Sequence, residues 1–197
     1  MTNDQKPLIH RKSTRLIKYD YSLPGYYFIT ICSQDRQYLF GKIVNEKMKL
    51  NNIGKTIDGY WHKLPEKFNN ILLDKHTVMP NHLHGIIVIN DDVANNTVGA
   101  PPVGARTNNV HQRAGTRPAP TIGNIVGTFK SITTNQYIQN VKNNNWPPFN
   151  KRVWQRNYYE HVIRNEEELN KIRQYIIDNP NMWPKDKNNL ENWTRRL

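Results

Sequence analysis

The chain of 197 residues has one cysteine, Cys32, which excludes an intrachain disulfide or a thiolate metal cluster and fits a reducing compartment. Long apolar runs are missing too: nothing approaches the about 20 residues of a membrane-spanning helix. The opening residues MTNDQKPLIHRKSTRL lack the apolar core of a signal peptide. A cytoplasmic protein, without a membrane partner and not exported by an obvious route, is therefore expected. Acidic residues are scarce: 16 Asp and Glu face 28 Lys and Arg, a net charge of +12. Such a field concentrates polyanions and speeds their capture. Five Trp and ten Tyr are interleaved with the charge and offer faces on which unpaired bases stack. Nucleic acid is the expected partner.

The length suits one domain with a sizeable core. GYYFITICS (25–33) is rich in β-branched and aromatic residues and predicts a central strand, followed by a hairpin-like pair around Phe40–Val44 and Met48–Leu50. Ile53, Ile57, Tyr60, Trp61 and Leu64 recur at helical spacing, with Pro65 expected to end the helix. Ile71–Met79 and His82–Ile89 read as two strands, and Pro80-Asn81 between them is turn chemistry, so an antiparallel hairpin is expected. From Asp91 to Pro120 there is no aromatic residue, and Gly, Pro, Asn, Ala and Thr dominate. Such composition builds no core, and a flexible insertion over about 91–120 is expected within the single domain. Its Arg106, Arg113 and Arg117 read as solvated linker charge. Helical periodicity returns over Thr121–Val141, with Lys130 toward solvent.

The informative pair is His82-Leu83-His84, at the start of the apolar run Ile86–Ile89. The two-residue period of a strand puts both imidazoles on one face, where they can hold a metal or simply hydrogen-bond to each other. In the last long helix Asn165 is a suitable N-cap, Glu166-Glu167-Glu168 suit the positive end of the dipole, and Pro180 stops the helix after Asn179. Leu169, Ile172 and Ile176 form its apolar stripe. Tyr175 and Asn179, four apart, share a face at the stripe's edge. Taken alone, they fit a half-buried packing residue and a C-terminal cap.

PNHLHGIIVI resembles the His-hydrophobic-His (HUH) motif of the single-tyrosine transposases. GYYFITICSQDRQYLFG, TIGNIVGTFKSIT, VWQRNYYEHVIRNEEEL and YIIDNP are similar, in that order, to blocks of the REP-associated tyrosine transposases. The match spans most of the chain outside the insertion. The resemblance implies an α+β fold, a ferredoxin-like antiparallel sheet with helices on one side. It also implies a nucleophile at Tyr175 and a metal site of His82 and His84, completed by Asn179 one turn after the tyrosine. Mg²⁺ or Mn²⁺ is the ion the resemblance implies; imidazole and carboxamide ligands alone do not choose among Mg²⁺, Mn²⁺ and Zn²⁺.

The implied activity is a metal-dependent endonuclease and strand transferase acting on single-stranded, hairpin-forming repeated palindromic DNA through a 5′-phosphotyrosine. Monomer and homodimer both remain open. An alternative is a domesticated relative that binds DNA or RNA hairpins with little catalysis. A zinc hydrolase is disfavoured because no acidic residue is expected beside the pair to act as base. Lys130, Arg152, Arg156 and Tyr158 are candidate DNA contacts, Tyr158 and Tyr159 stacking or core residues, and His76 and His161 hydrogen-bonded structural histidines. The basic ends HRKSTR and WTRRL could extend the DNA footprint or be solvated tails.

Overall fold

The computed structural model describes residues 19–90, 103 and 120–194. The expected insertion at about 91–120, with its three arginines, thus lies outside the described residues apart from Val103 and Pro120, as do most of both basic ends.

Strand β1 (Gly25–Cys32) is central, and β4 (Ile71–Val78), β5 (His82–Ile89) and β6 (Tyr159–Ile163) complete a sheet of order β4-β5-β1-β6, antiparallel throughout. Between β1 and β4 come the small hairpin of β2 (Gly41–Val44) and β3 (Lys47–Leu50), then helix α1 (Asn52–His62) and the short α2 (Leu64–Lys67). Helix α3 (Ile122–Asn143) joins β5 to β6, α4 (Glu166–Asp178) follows β6, and a last turn, α5, spans Glu191–Thr194. The β-α-β-β-α-β order with an outer fourth strand is the ferredoxin-like arrangement.

Strand alternation sorts the core into two layers. Tyr27, Ile29, Ile31, Leu83, Ile87 and Ile89 face α1 and α3, where Ile57, Trp61, Ile125 and Phe129 are buried. Tyr26, Phe28, Ile86 and Val88 face the other way, onto Leu169, Ile172 and Ile176 of α4. The expectation of helices on one side is thereby corrected. The apolar stripe of α4 has to be buried, and the α1 and α3 face of the sheet is already filled.

One local reading changes, and one strand is added. The first long helix ends at His62, and Pro65 stands in the first turn of α2, where a missing N–H costs no hydrogen bond. The aromatic stretch around Tyr158 and Tyr159 opens a strand: Thr30 pairs with Tyr159 and Phe28 with His161. The predicted β4–β5 hairpin forms, closed by Met79 N–H on the His82 carbonyl at 2.7 Å. Asn165 caps α4 by accepting from Glu168 N–H at 2.8 Å. The Glu168 carboxylate in turn accepts from Arg164 N–H (2.7 Å) and His161 Nε2 (2.6 Å), which gives His161 the structural role expected. Across the sheet, the Arg173 guanidinium of α4 binds Asp74 of β4 through Nε (2.9 Å) and Nη2 (2.6 Å). Both donors converge on the one oxygen, Oδ2, and the pair ties α4 to β4.

Candidate active site

His82 and His84 stand on the α4 side of β5, both buried, with their Nε2 atoms 3.0 Å apart. Their proton positions follow from their neighbours. Asn81, fully buried, donates from Nδ2 to the carbonyls of Arg36 (3.0 Å) and Asn188 (2.8 Å). Its Oδ1 is thereby turned to His82 Nδ1 at 2.8 Å, where it accepts. His82 therefore carries its proton on Nδ1 and presents a bare lone pair at Nε2. His84 Nδ1 lies 2.8 Å from Thr30 Oγ1, the residue opposite it in the β1–β5 register. With His84 protonated at Nδ1, two lone pairs would face each other across 3.0 Å, an arrangement that a cation relieves. With Thr30 as donor, one imidazole donates to the other.

Both rings are held neutral. Burial first, then the nearby Arg36 and Lys187, push His82 down to about 3. Burial, His82 and Lys187 hold His84 well below the usual histidine range. Neutral imidazole is the ligand form.

Tyr175 brings its phenol oxygen to 3.3 Å from His84 Nε2. Its ring meets His84 with centroids 5.2 Å apart and Phe28 edge-on at 6.1 Å, while Phe28 also stacks on His84 at 5.3 Å. Burial, and after it the Asp186 carboxylate, raises the phenol above its ordinary value of 10, and a hydrogen bond from the Asn179 carboxamide acts in the opposite direction. Asn179 is buried, and its Oδ1 has no hydrogen-bond partner. The structure thus brings four sequence-selected residues together: His82, His84, Tyr175 and Asn179.

Asp186 was not foreseen. After α4 the chain turns through a 3₁₀ segment, Trp183–Lys185, which lays the Trp183 indole on His82 at 6.1 Å. Asp186 then lies with Oδ2 3.7 Å from His82 Nε2, and this oxygen has no hydrogen-bond partner; Oδ1 accepts from Asn188 N–H at 2.6 Å. An acidic residue therefore does lie beside the pair, brought there by the fold and not by sequence proximity. One signal was available: Asp186 is the sole acidic residue between Asp178 and Glu191.

Donor atoms of His82, His84 and Asp186 lie within 4.8 Å of one another. Two neutral imidazoles, a buried carboxylate oxygen and the buried Asn179 oxygen, both oxygens unpartnered, suit a divalent ion. The residues present fit a divalent ion without choosing which one.

No family model matches the chain. An uncharacterized protein of Haemophilus influenzae is 39% identical over 180 residues, covering 90% of this chain and 92% of that one. The chain belongs to the family of that protein. A solved structure of a REP-associated tyrosine transposase bound to a REP hairpin is similar at a TM-score of 0.52 and 17% identity, covering 86% of this chain and 73% of that one. The chain has the fold of that transposase.

The candidate DNA contacts gather elsewhere. Lys130, Arg152 and Arg156 line one open groove, on the α3 side of the sheet. The Lys130 ammonium does not simply face solvent. It donates to the carbonyls of Gln155 (2.9 Å), Arg156 (3.3 Å) and Asn157 (3.1 Å), and lies 5.4 Å from the centroid of the Tyr158 ring. Burial pushes it down to about 8. Lys130 thus fastens the segment before β6, and Tyr158 packs against the α1 and α3 core. Among the described residues no helix is long and apolar enough to cross a membrane.

Proposed function

We propose that the chain is a tyrosine transposase of the REP-associated type: a metal-dependent endonuclease and strand transferase that cuts and rejoins single-stranded, hairpin-forming repeat DNA in the bacterial cytoplasm. One observation carries this reading: the Tyr175 oxygen, on a half-exposed side chain, lies 3.3 Å from a buried histidine pair that has a carboxylate beside it. The likeness in fold to a transposase bound to a REP hairpin supports the choice of substrate.

Tyr175 is the nucleophile in this reading. Its phenol oxygen forms a bond to phosphorus as the bond to the 3′ oxygen breaks; the phenol gives up its proton and the 3′ oxygen acquires one. The 5′-phosphotyrosine keeps the bond energy, so a free 3′ hydroxyl can reverse the exchange and rejoin DNA without another energy source. His82, His84 and Asp186, with Asn179, would hold the divalent ion, Mg²⁺ or Mn²⁺, which when bound polarises the scissile phosphate and neutralises the leaving oxygen. The Asn179 hydrogen bond opposes the burial that keeps the phenol protonated, and Phe28 and His84 fix its ring. Arg36 and Lys187 add positive potential where the phosphate would sit.

A labelled hairpin oligonucleotide incubated with protein and Mg²⁺ or Mn²⁺ and run on a denaturing gel tests the reading. Wild type is expected to give a covalent band on the 5′ side of the break. Tyr175→Phe should bind the hairpin and give none, while Tyr158→Phe and Tyr159→Phe keep the band. No band from wild type with any hairpin of its own genome would leave a hairpin-binding protein. A band surviving Tyr175→Phe would place the nucleophile elsewhere.

A further inference from the structure

On the face of the sheet away from Tyr175, Asp58 and His62 are four apart on α1 and so project together. His76 of β4 rises beside them. Asp58 Oδ1 is 2.8 Å from His76 Nε2, Asp58 Oδ2 is 3.9 Å from His62 Nε2, and the imidazole centroids are 4.7 Å apart. All three donor atoms lie within 4.8 Å of one another. With bonds of about 2.0–2.1 Å, two donors on a tetrahedral ion stand roughly 3.4 Å apart. The two carboxylate–imidazole separations straddle that value.

The three residues differ in freedom. The His76 ring stacks on the buried Trp61 indole at 5.9 Å, and its side chain is only 16% exposed. Asp58 is 36% exposed and already engaged with His76. His62 is 61% exposed and can swing by the small distance that closure requires. Two donors are thus preset and the third is a mobile arm at the mouth. A simple His76–Asp58 ion pair accounts for His76 but not for a second imidazole turned to the same carboxylate.

We propose that Asp58, His62 and His76 form a second divalent-metal site, separate from the tyrosine site, which binds Zn²⁺, Cu²⁺ or Ni²⁺ and clamps α1 to the edge strand β4. Two imidazoles and one carboxylate favour these ions over Mg²⁺ and Mn²⁺, which prefer oxygen ligands. Three protein ligands leave a position open to water. A metal and a proton compete for the same imidazole nitrogens, so affinity falls as pH falls. The inference does not depend on the proposed function.

The test titrates untagged full-length protein with Zn²⁺ by calorimetry. Wild type is expected to take two equivalents and His62→Ala one. In a His82→Ala/His84→Ala background one equivalent should remain and raise the melting temperature; adding His62→Ala or Asp58→Asn should weaken that binding by about tenfold or more and abolish the rise. In the same His82→Ala/His84→Ala background Cu²⁺ should give a two-nitrogen paramagnetic resonance signature that His62→Ala removes. In that background, no Zn²⁺ equivalent, or one that survives both His62→Ala and Asp58→Asn, overturns the proposal.

Discussion

Asn81 Oδ1 sits 2.8 Å from His82 Nδ1, and the Asn81 amide cannot turn over without losing its bonds to the carbonyls of Arg36 and Asn188. The outcome is a histidine whose free lone pair points into the site before any ion arrives. Asn81→Ala removes the acceptor while leaving all ligand atoms in place. Metal affinity at the tyrosine site should fall about 10- to 100-fold, the usual effect of losing a partner that orients a ligand. Calorimetric titration with Mn²⁺ measures it, with circular dichroism to establish folding; unchanged affinity in a folded variant would mean that Asn81 serves the turn alone.

The same residue marks what the sequence made legible and what it did not. Pro80-Asn81 reads correctly as a turn, because turn chemistry is local. That Asn81 is buried and bound to Asn188 depends on where the last residues of the chain dock. Asp186 was hidden for the same reason: its approach to His82 needs the turn after α4 and the 3₁₀ segment at Trp183, and neither leaves a periodic signal. Tyr175 and Asn179, by contrast, are tied by helical spacing, and His82 and His84 by strand spacing, so all four could be placed in pairs. The α4 side of the sheet was missed because an amphipathic stripe says that a face is buried and does not say against which surface.

Asp186→Asn keeps the size of the side chain and deletes its charge. Two effects should appear together: weaker Mn²⁺ binding, by about tenfold or more for a lost anionic donor, and a Tyr175 phenol that ionises at lower pH, because the carboxylate is one of the groups that raise it. The second is read as the phenolate absorbance difference between each protein and its own Tyr175→Phe variant. A phenol titration that does not move would remove Asp186 from the neighbourhood of the nucleophile.

Acid should destabilise the metal-free protein through the histidine pair. Unfolded histidine titrates near 6.5, whereas folded His82 titrates at about 3, so between these values the unfolded chain binds the proton and the native one does not. The contribution is complete above about pH 6.5 and is lost as pH falls toward about 3, with a slope of at most about 1.4 kcal/mol per pH unit for His82. His84 acts in the same direction. Urea midpoints in chelator, compared between wild type and His82→Ala/His84→Ala, isolate the pair from the carboxylate-bound His76 and His161. Parallel profiles for the two proteins would refute it.

Gly85 lies between the two histidine clusters in the fold, in register with His76 and next in sequence to His84. An added Cβ would stand 2.3 Å from Trp61 Cζ2 and 2.8 Å from Trp61 Cη2. The indole cannot easily retreat, since it is fully buried and meets Phe129 edge-on at 5.5 Å. Gly85→Ala should therefore destabilise the fold by about 1–3 kcal/mol, the usual range for overpacking. Trp61→Phe, itself a loss because it shrinks a core side chain, vacates the space that the methyl group needs. The double variant should then be more stable than the sum of the single losses predicts, with a coupling of about 0.5–3 kcal/mol for residues in contact. Urea unfolding of the four proteins completes the cycle. Additive losses would mean that the strand, and not the indole, requires glycine at this position.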